Sequence, residues 1–331
     1  MKKFDVITIG SATQDITFYT QEGQLLDNKK DVLRQKLLAF EYGAKMEIDK
    51  TYFSFGGGAS NSAVNFSRLG LNSAAFISLG DDSRGKLILS ELKRQRVNAS
   101  ILKIQKDQES GVGFILIGPA NERIIFINRG SNNSLNIEKK DFKKLQKTKW
   151  IYLTSLSGKW EPVLKNIFLI PNVKFAWNPG GAQLKRGKKF LGKYIKKTNV
   201  LCLNKDEAIE LVVLDDKYKN KDVKFLNNVK NLLKIIKEMG PEIVVITSGK
   251  KGADCYDGGK FYHQSILEEK VRIDTTGVGD AFNSSFVAGL ELFNGDIKKA
   301  MYLGVLNTAS VISRQGAQNG LLSKEDIKKI L

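Results

Sequence analysis

The chain has 331 residues, 42% of them hydrophobic, with a formal charge of +18 and an isoelectric point of about 9.6. That length and apolar content support a full core and exclude a disordered chain. Two cysteines, Cys202 and Cys255, exclude a disulfide scaffold and suit a reducing cytoplasm, and the single histidine, His263, excludes a multi-histidine zinc site.

No stretch approaches the roughly 18 apolar residues a membrane span needs. Met1-Lys2-Lys3 resembles a signal-peptide start for only three residues before Asp5 and a short apolar run. The lysines fall in short separated runs such as Lys139-Lys140, Lys143-Lys144 and Lys196-Lys197. They read as a solvated surface that helps attract anionic nucleotides, rather than as a nucleic-acid interface.

In chain order, Phe4 to Gly10 is a β-branched run ending in glycine, which predicts a buried first strand. Asp15 follows. From there to Phe55, apolar and polar residues alternate in short pieces between turn formers, predicting a β-rich excursion. A second excursion is 111–127, with two strands joined across Pro119-Ala120-Asn121. Together they predict a lid over a site on the main body, with exposed edges that could pair with a second copy in a homodimer. Between them, Phe55-Gly56-Gly57-Gly58 leads into a helix of small residues ending at Gly70, where thinly shielded backbone can approach a polar ligand. The G-x-G-x-x-G spacing of a dinucleotide turn is absent.

After Gly130, short apolar runs at Trp150–Leu153, Val173–Trp177, Val200–Leu203 and Ile243–Thr247 alternate with helical segments. This predicts an α/β fold with a mostly parallel central sheet, helices on both faces and a small β-rich lid, all within one domain of residues 1–331. Ligands in such sheets bind at the carboxyl ends of the strands. Asn204-Lys205-Asp206-Glu207 and Thr247-Ser248-Gly249-Lys250-Lys251-Gly252 fall there. His263 follows a turn and reads as an ordinary strand residue.

The most informative stretch is Asp274-Thr275-Thr276-Gly277-Val278-Gly279-Asp280, running into Ala281-Phe282-Asn283. Its glycines sit where a helix begins, so the amides of Gly277, Val278 and Gly279 have no partner within that helix and suit an anion. Asp280, beside such a cradle, is sited to take a proton from a hydroxyl attacking a phosphate. A plain Gly-Asp turn, with Asp favoured by the helix dipole, explains the same local residues.

Three separated elements decide between these readings. The stretch 56–70, the loop 247–252 and Asp274 to Asp280 with its helix resemble, in order and spacing, the ribokinase-like (PfkB) carbohydrate kinase family over nearly the whole chain. The resemblance implies a carbohydrate kinase that uses ATP and Mg2+ to phosphorylate a hydroxyl of a small sugar, or of a nucleoside as in adenosine-type kinases. It implies that Asp280 is the base, that Gly277, Val278 and Gly279 stabilise the transferring phosphoryl group, and that Asp15, Gly57 and Asn61 hold the acceptor. It further implies nucleotide contacts from Asn204, Thr247, Gly249, Gly252 and Asn307, and magnesium placed by Glu207 through water. Asp274, Thr276, Arg314 and Gly316 match positions that lend oxygens to K+. Where ribokinases usually have Gly-Gly-Lys-Gly-Ala-Asn, this chain has Gly56-Gly57-Gly58-Ala59-Ser60-Asn61, a departure that leaves the sugar open.

Overall fold

The computed structural model describes residues 3–27, 36–118, 123–268 and 271–330, so the expected turn at Pro119-Ala120-Asn121 lies outside the described residues. The chain opens on β1 (Phe4–Ile9) and reaches β2 (Thr13–Tyr19) three residues later. β3 (Gln24–Asp27), β4 (Lys36–Ala39) and β5 (Lys50–Gly56) follow, then α1 (Gly58–Arg68), β6 (Ser73–Phe76), β7 (Ser78–Gly80) and α2 (Ser83–Arg94). β8 (Lys103–Gln105), β9 (Gly111–Ile117) and β10 (Arg123–Asn128) come next.

From there strand and helix alternate, as the apolar runs predict: α3 (Lys139–Leu145), β11 (Thr148–Leu153), α4 (Trp160–Ile167), β12 (Lys174–Trp177), α5 (Gly181–Leu184), α6 (Gly187–Ile195), β13 (Val200–Asn204), α7 (Lys205–Val213), α8 (Val223–Asn227), α9 (Val229–Lys237) and β14 (Ile243–Thr247). β15 (Ala253–Tyr256) and β16 (Phe261–Gln264) form an antiparallel hairpin, in which His263 pairs with Asp254 across the strands at 2.9 Å. α10 (Val278–Leu292), α11 (Ile297–Ile312) and α12 (Lys324–Ile330) close the chain.

The main sheet has eight strands in the order β16-β15-β14-β13-β12-β11-β1-β6, parallel from β14 to β6. Its central strands are apolar throughout because both faces are covered. In β13, Leu201 and Leu203 enter the core on one face while Val200 and Cys202 enter the core on the other. The second face receives α10, whose residues Ala281 to Leu290 are all buried. α10 and α11 meet through small residues: a Cβ at Gly289 would stand 2.6 Å from Ala300 Cα, and one at Gly304 would stand 2.8 Å from the Phe282 ring.

The two predicted excursions meet in one four-stranded sheet, β10-β9-β2-β5, while β3 and β4 of the first pair separately as a two-stranded antiparallel sheet. β2 pairs antiparallel with β5 but parallel with β9, so the lid is a mixed sheet rather than two hairpins. Asp15 lies opposite Ser54 on one side and Gly113 on the other.

Candidate active site

α10 begins at Val278 because Gly277 takes a left-handed conformation, φ 76°, that ends the preceding loop. Space reinforces the choice, since a Cβ at Gly277 would lie 2.3 Å from Ala317 Cβ. The first helical bond runs from the Ala281 amide to the Gly277 carbonyl at 2.8 Å. Among the described residues, the amides of Gly277, Val278, Gly279 and Asp280 have no acceptor. Four donors and the positive end of a fifteen-residue helix therefore converge on one exposed point. Gly279 leaves that point open: a Cβ there would meet nothing within 4 Å.

Asp280 stands at the edge of this cradle. Its Oδ2 accepts a hydrogen bond from Asn61 Nδ2 at 2.8 Å. Burial pushes its carboxyl above the ordinary aspartate range, and the Asn61 bond opposes that rise. One turn further along both helices, Asn65 Nδ2 donates to Ser284 Oγ and Ser285 Oγ at 2.7 and 2.9 Å, so polar pairs couple α1 to α10 through two successive turns.

Asp15 is buried in the lid, 9% exposed, with its carboxyl pushed up to about 6 by burial, a rise that the Thr13 hydroxyl opposes and the nearby Asp274 charge reinforces. Glycines make room for it. A Cβ at Gly56 would sit 2.1 Å from Asp15 Oδ2, and one at Gly113 would sit 2.7 Å from Oδ1. Gly57, φ 89°, leads from the lid into α1 and packs on Ser11 and Ala12. The Ser11 carbonyl takes the Ala59 and Ser60 amides at 3.2 Å each, so part of the α1 N-terminus is already capped by protein.

The lid reaches the cradle through Ser54, which packs on Gly316, and through a chain of hydrogen bonds. Tyr19 donates to Gln315 Oε1 at 3.0 Å, and Gln315 Nε2 donates to Asp274 Oδ2 at 3.3 Å. Asp274 in turn accepts the Thr276 amide at 2.8 Å and the Gly316 amide at 2.9 Å. Asp274, Thr276 and Gly316 are thus gathered beside the cradle. Arg314 is exposed at the end of α11, with its amide bonded to the Val311 carbonyl.

At the carboxyl ends of β13 and β14, Asn204 and Glu207 form a reciprocal helix cap for α7. Asn204 Oδ1 accepts the Glu207 amide and Glu207 Oε2 accepts the Asn204 amide, both at 2.8 Å. Burial pushes the Glu207 carboxyl up against that bond. Thr247 ends β14, Gly249 is open to solvent at φ 55°, and Gly252 is buried in the return to β15, where a Cβ would stand 2.1 Å from the Gln264 carbonyl. Gly252 shapes the hairpin. Gly249 keeps the accessible backbone.

Asn307 requires a correction. It is fully buried on α11, donating to Asn65 Oδ1 at 2.6 Å and Ser285 Oγ at 2.7 Å and accepting the Leu322 amide at 2.9 Å. Closed off from solvent, with both amide hydrogens and one acceptor site of its oxygen engaged inside the protein, it belongs to the helix-packing network. Sequence reasoning also missed Gln315, Gln318 and Gly113. Only Gly113 carried a signal, as one of two glycines in a predicted strand, where close approach of another group is the usual cause.

Two cavities lie away from the cradle, the wider of about 700 Å³ beside Leu135 and Pro162. The other, of about 550 Å³, lined by Phe168, Pro171, Lys197 and Asn199, opens at the amino ends of the strands and holds none of these residues.

A mostly parallel sheet whose carboxyl-end loops meet an unpaired helix N-terminus, a partly buried carboxylate and a β lid defines a phosphotransferase acting on an alcohol group. The family described as pfkB family carbohydrate kinase matches residues 6–324, and the chain belongs to it. An uncharacterized sugar kinase of Archaeoglobus fulgidus is 28% identical over 263 residues, covering 78% of this chain and 98% of that protein. Ribokinase from Thermotoga maritima superposes with a TM-score of 0.79 at 19% identity, covering 98% of both chains. A nucleoside kinase from Methanocaldococcus jannaschii superposes with a TM-score of 0.75 at 22% identity, covering 99% of this chain and 98% of that one. The chain is accordingly a kinase of the pfkB carbohydrate kinase family with the ribokinase fold. No helix among the described residues is long and apolar enough to cross a membrane.

Proposed function

We propose that this chain transfers the γ-phosphate of ATP to a hydroxyl of a small sugar, with Asp280 as the base. The observation that carries the reading is the row of four unpaired amides that ends on Asp280, whose carboxylate Asn61 holds by one oxygen only. Oδ1 of Asp280 is left to receive the hydroxyl proton, while the amides of Gly277, Val278 and Gly279 stabilise charge on the phosphoryl group in flight. Asp15, Gly57 and Asn61 orient the acceptor. The lid excludes water that would otherwise consume ATP.

Asn204, Thr247, Gly249 and Gly252 border the nucleotide phosphates, Gly252 by shaping the turn. Among the described residues no three metal-binding side chains cluster, so magnesium would rest on the nucleotide phosphates, waters and Glu207. Such a sparse protein contribution fits Mg2+, which supplies charge neutralisation at the phosphates. Potassium would take backbone oxygens around Asp274, Thr276, Arg314 and Gly316, because the Asp274 carboxylate is already occupied by amides.

A nucleoside acceptor is the second reading. Ile125 and Ile127 stand in register with the Asp15 face of the lid and are 45% and 58% exposed, offering an apolar surface to a base. On the opposite face Phe53, Phe114 and Phe126 are exposed, which suits a homodimer formed through the lids.

A coupled ATP-consumption screen over sugars, sugar phosphates and nucleosides tests the assignment. Turnover with one class, reduced about 10²- to 10⁴-fold in Asp280→Asn while ATP binding persists, is expected. Wild-type turnover by that variant would remove Asp280 from its role.

A further inference from the structure

Residues 316–318 serve the start of α10 at three consecutive positions. Gly316 donates its amide to Asp274, Ala317 packs on Gly277, and Gln318 reaches across to α1. Gln318 is 5% exposed, and its Nε2 donates to Asn61 Oδ1 at 3.0 Å and to Ser60 Oγ at 3.2 Å. Its own Oε1 is buried without a partner among the described residues. An orphaned buried acceptor costs about 1–3 kcal/mol, so this amide orientation is maintained against a local penalty.

The reason lies one bond away. An ionised Asp280 requires Asn61 to present its NH2, which turns Asn61 Oδ1 toward Gln318 and requires a donor there. Flipping Gln318 would set Oε1 against Asn61 Oδ1, oxygen against oxygen. The two amides can reverse together without clash only when Asp280 carries a proton.

We propose that Gln318 is a positioning residue that acts through Asn61, fixing the direction of the Asn61 amide so that Asp280 stays ionised with Oδ1 free. This role rests on the reading of Asp280 as the base. The titratable groups facing Asp280 are few. Tyr152 of β11 lies near enough to interact with it, and Cys202 of β13 lies beside Tyr152. α1 presents amides and hydroxyls there, and the lysines Lys298 and Lys299 sit at the far end of α11, beside the C-terminus of α10.

The test follows the Asp280 carboxyl carbon by NMR in aspartate-labelled protein, its resonance identified as the one lost in Asp280→Asn. Asn61→Leu should raise the Asp280 midpoint by roughly one pH unit or more. Gln318→Met should raise it by less, and the double variant no further than Asn61→Leu alone. An unmoved midpoint in Gln318→Met, or a Gln318 effect that adds to that of Asn61→Leu, overturns the proposal. Should Gln318→Met fail to fold, Gln318→Ala is judged by the same midpoint. This readout needs no acceptor, so absence of kinase turnover would sink the functional reading while the carboxyl midpoint still judged the relay.

Discussion

Replacing Asp15 by Asn separates what this carboxylate does for binding from what it does to stability. Its folded pKa of about 6 stands against an ordinary value of 3.8, and burial is the main cause. For an acid shifted upward the sign is fixed. Below pH 3.8 both folded and unfolded chains hold the proton and no penalty exists; between 3.8 and 6 the unfolded chain alone releases it, so stability falls as pH rises. Above pH 6 the penalty is full, and the shift corresponds to about 3 kcal/mol. Asparagine keeps the shape and cannot ionise. Asp15→Asn should therefore be more stable than wild type by a margin approaching ~3 kcal/mol at pH 8 and vanishing near pH 4, read from urea unfolding midpoints. The same variant should bind acceptor more weakly. A stability difference that does not change between pH 4 and pH 8 would refute the reasoning, because it would mean that Asp15 pays no ionisation penalty in the folded lid.

Gly279→Ala should leave the melting temperature unchanged or slightly raised, since a helical Cβ there meets open space, yet cut turnover at least about tenfold by crowding the anion; full activity would show that no phosphate approaches that amide. Asn307→Leu strands Asn65, Ser285 and the Leu322 amide, so urea unfolding should show a loss of about 2 kcal/mol or more with an unchanged KM for ATP. A raised KM alone would return Asn307 to the nucleotide site. Potassium should raise the rate over sodium-only buffer, and equal rates would discard the cation site.

Much of this could be read from residues alone. β1, β11, β13 and β14 are short apolar runs whose burial on both faces leaves no other regular structure for them. The cradle was legible because glycine, glycine and aspartate sit within four residues at a helix start. The lid's mixed pairing was not, because which edge β2 joins depends on β9, almost a hundred residues later. Asn307 misled for a related reason. A polar residue on a helix does not disclose whether its partner is a ligand or, as here, Asn65 on α1. Gln318 gave no local pattern at all, since its meaning lies in the two amides it aligns.

The passage from main sheet to lid consists of Gly10, Ser11 and Ala12, and Asn132 grips Ala12 by both its peptide groups, at 3.0 and 2.9 Å. The passage is thus clamped at its last residue, directly before β2 begins. Asp15 sits three residues beyond that clamp, so any tilt of the lid about it would carry along the carboxylate proposed to hold the acceptor.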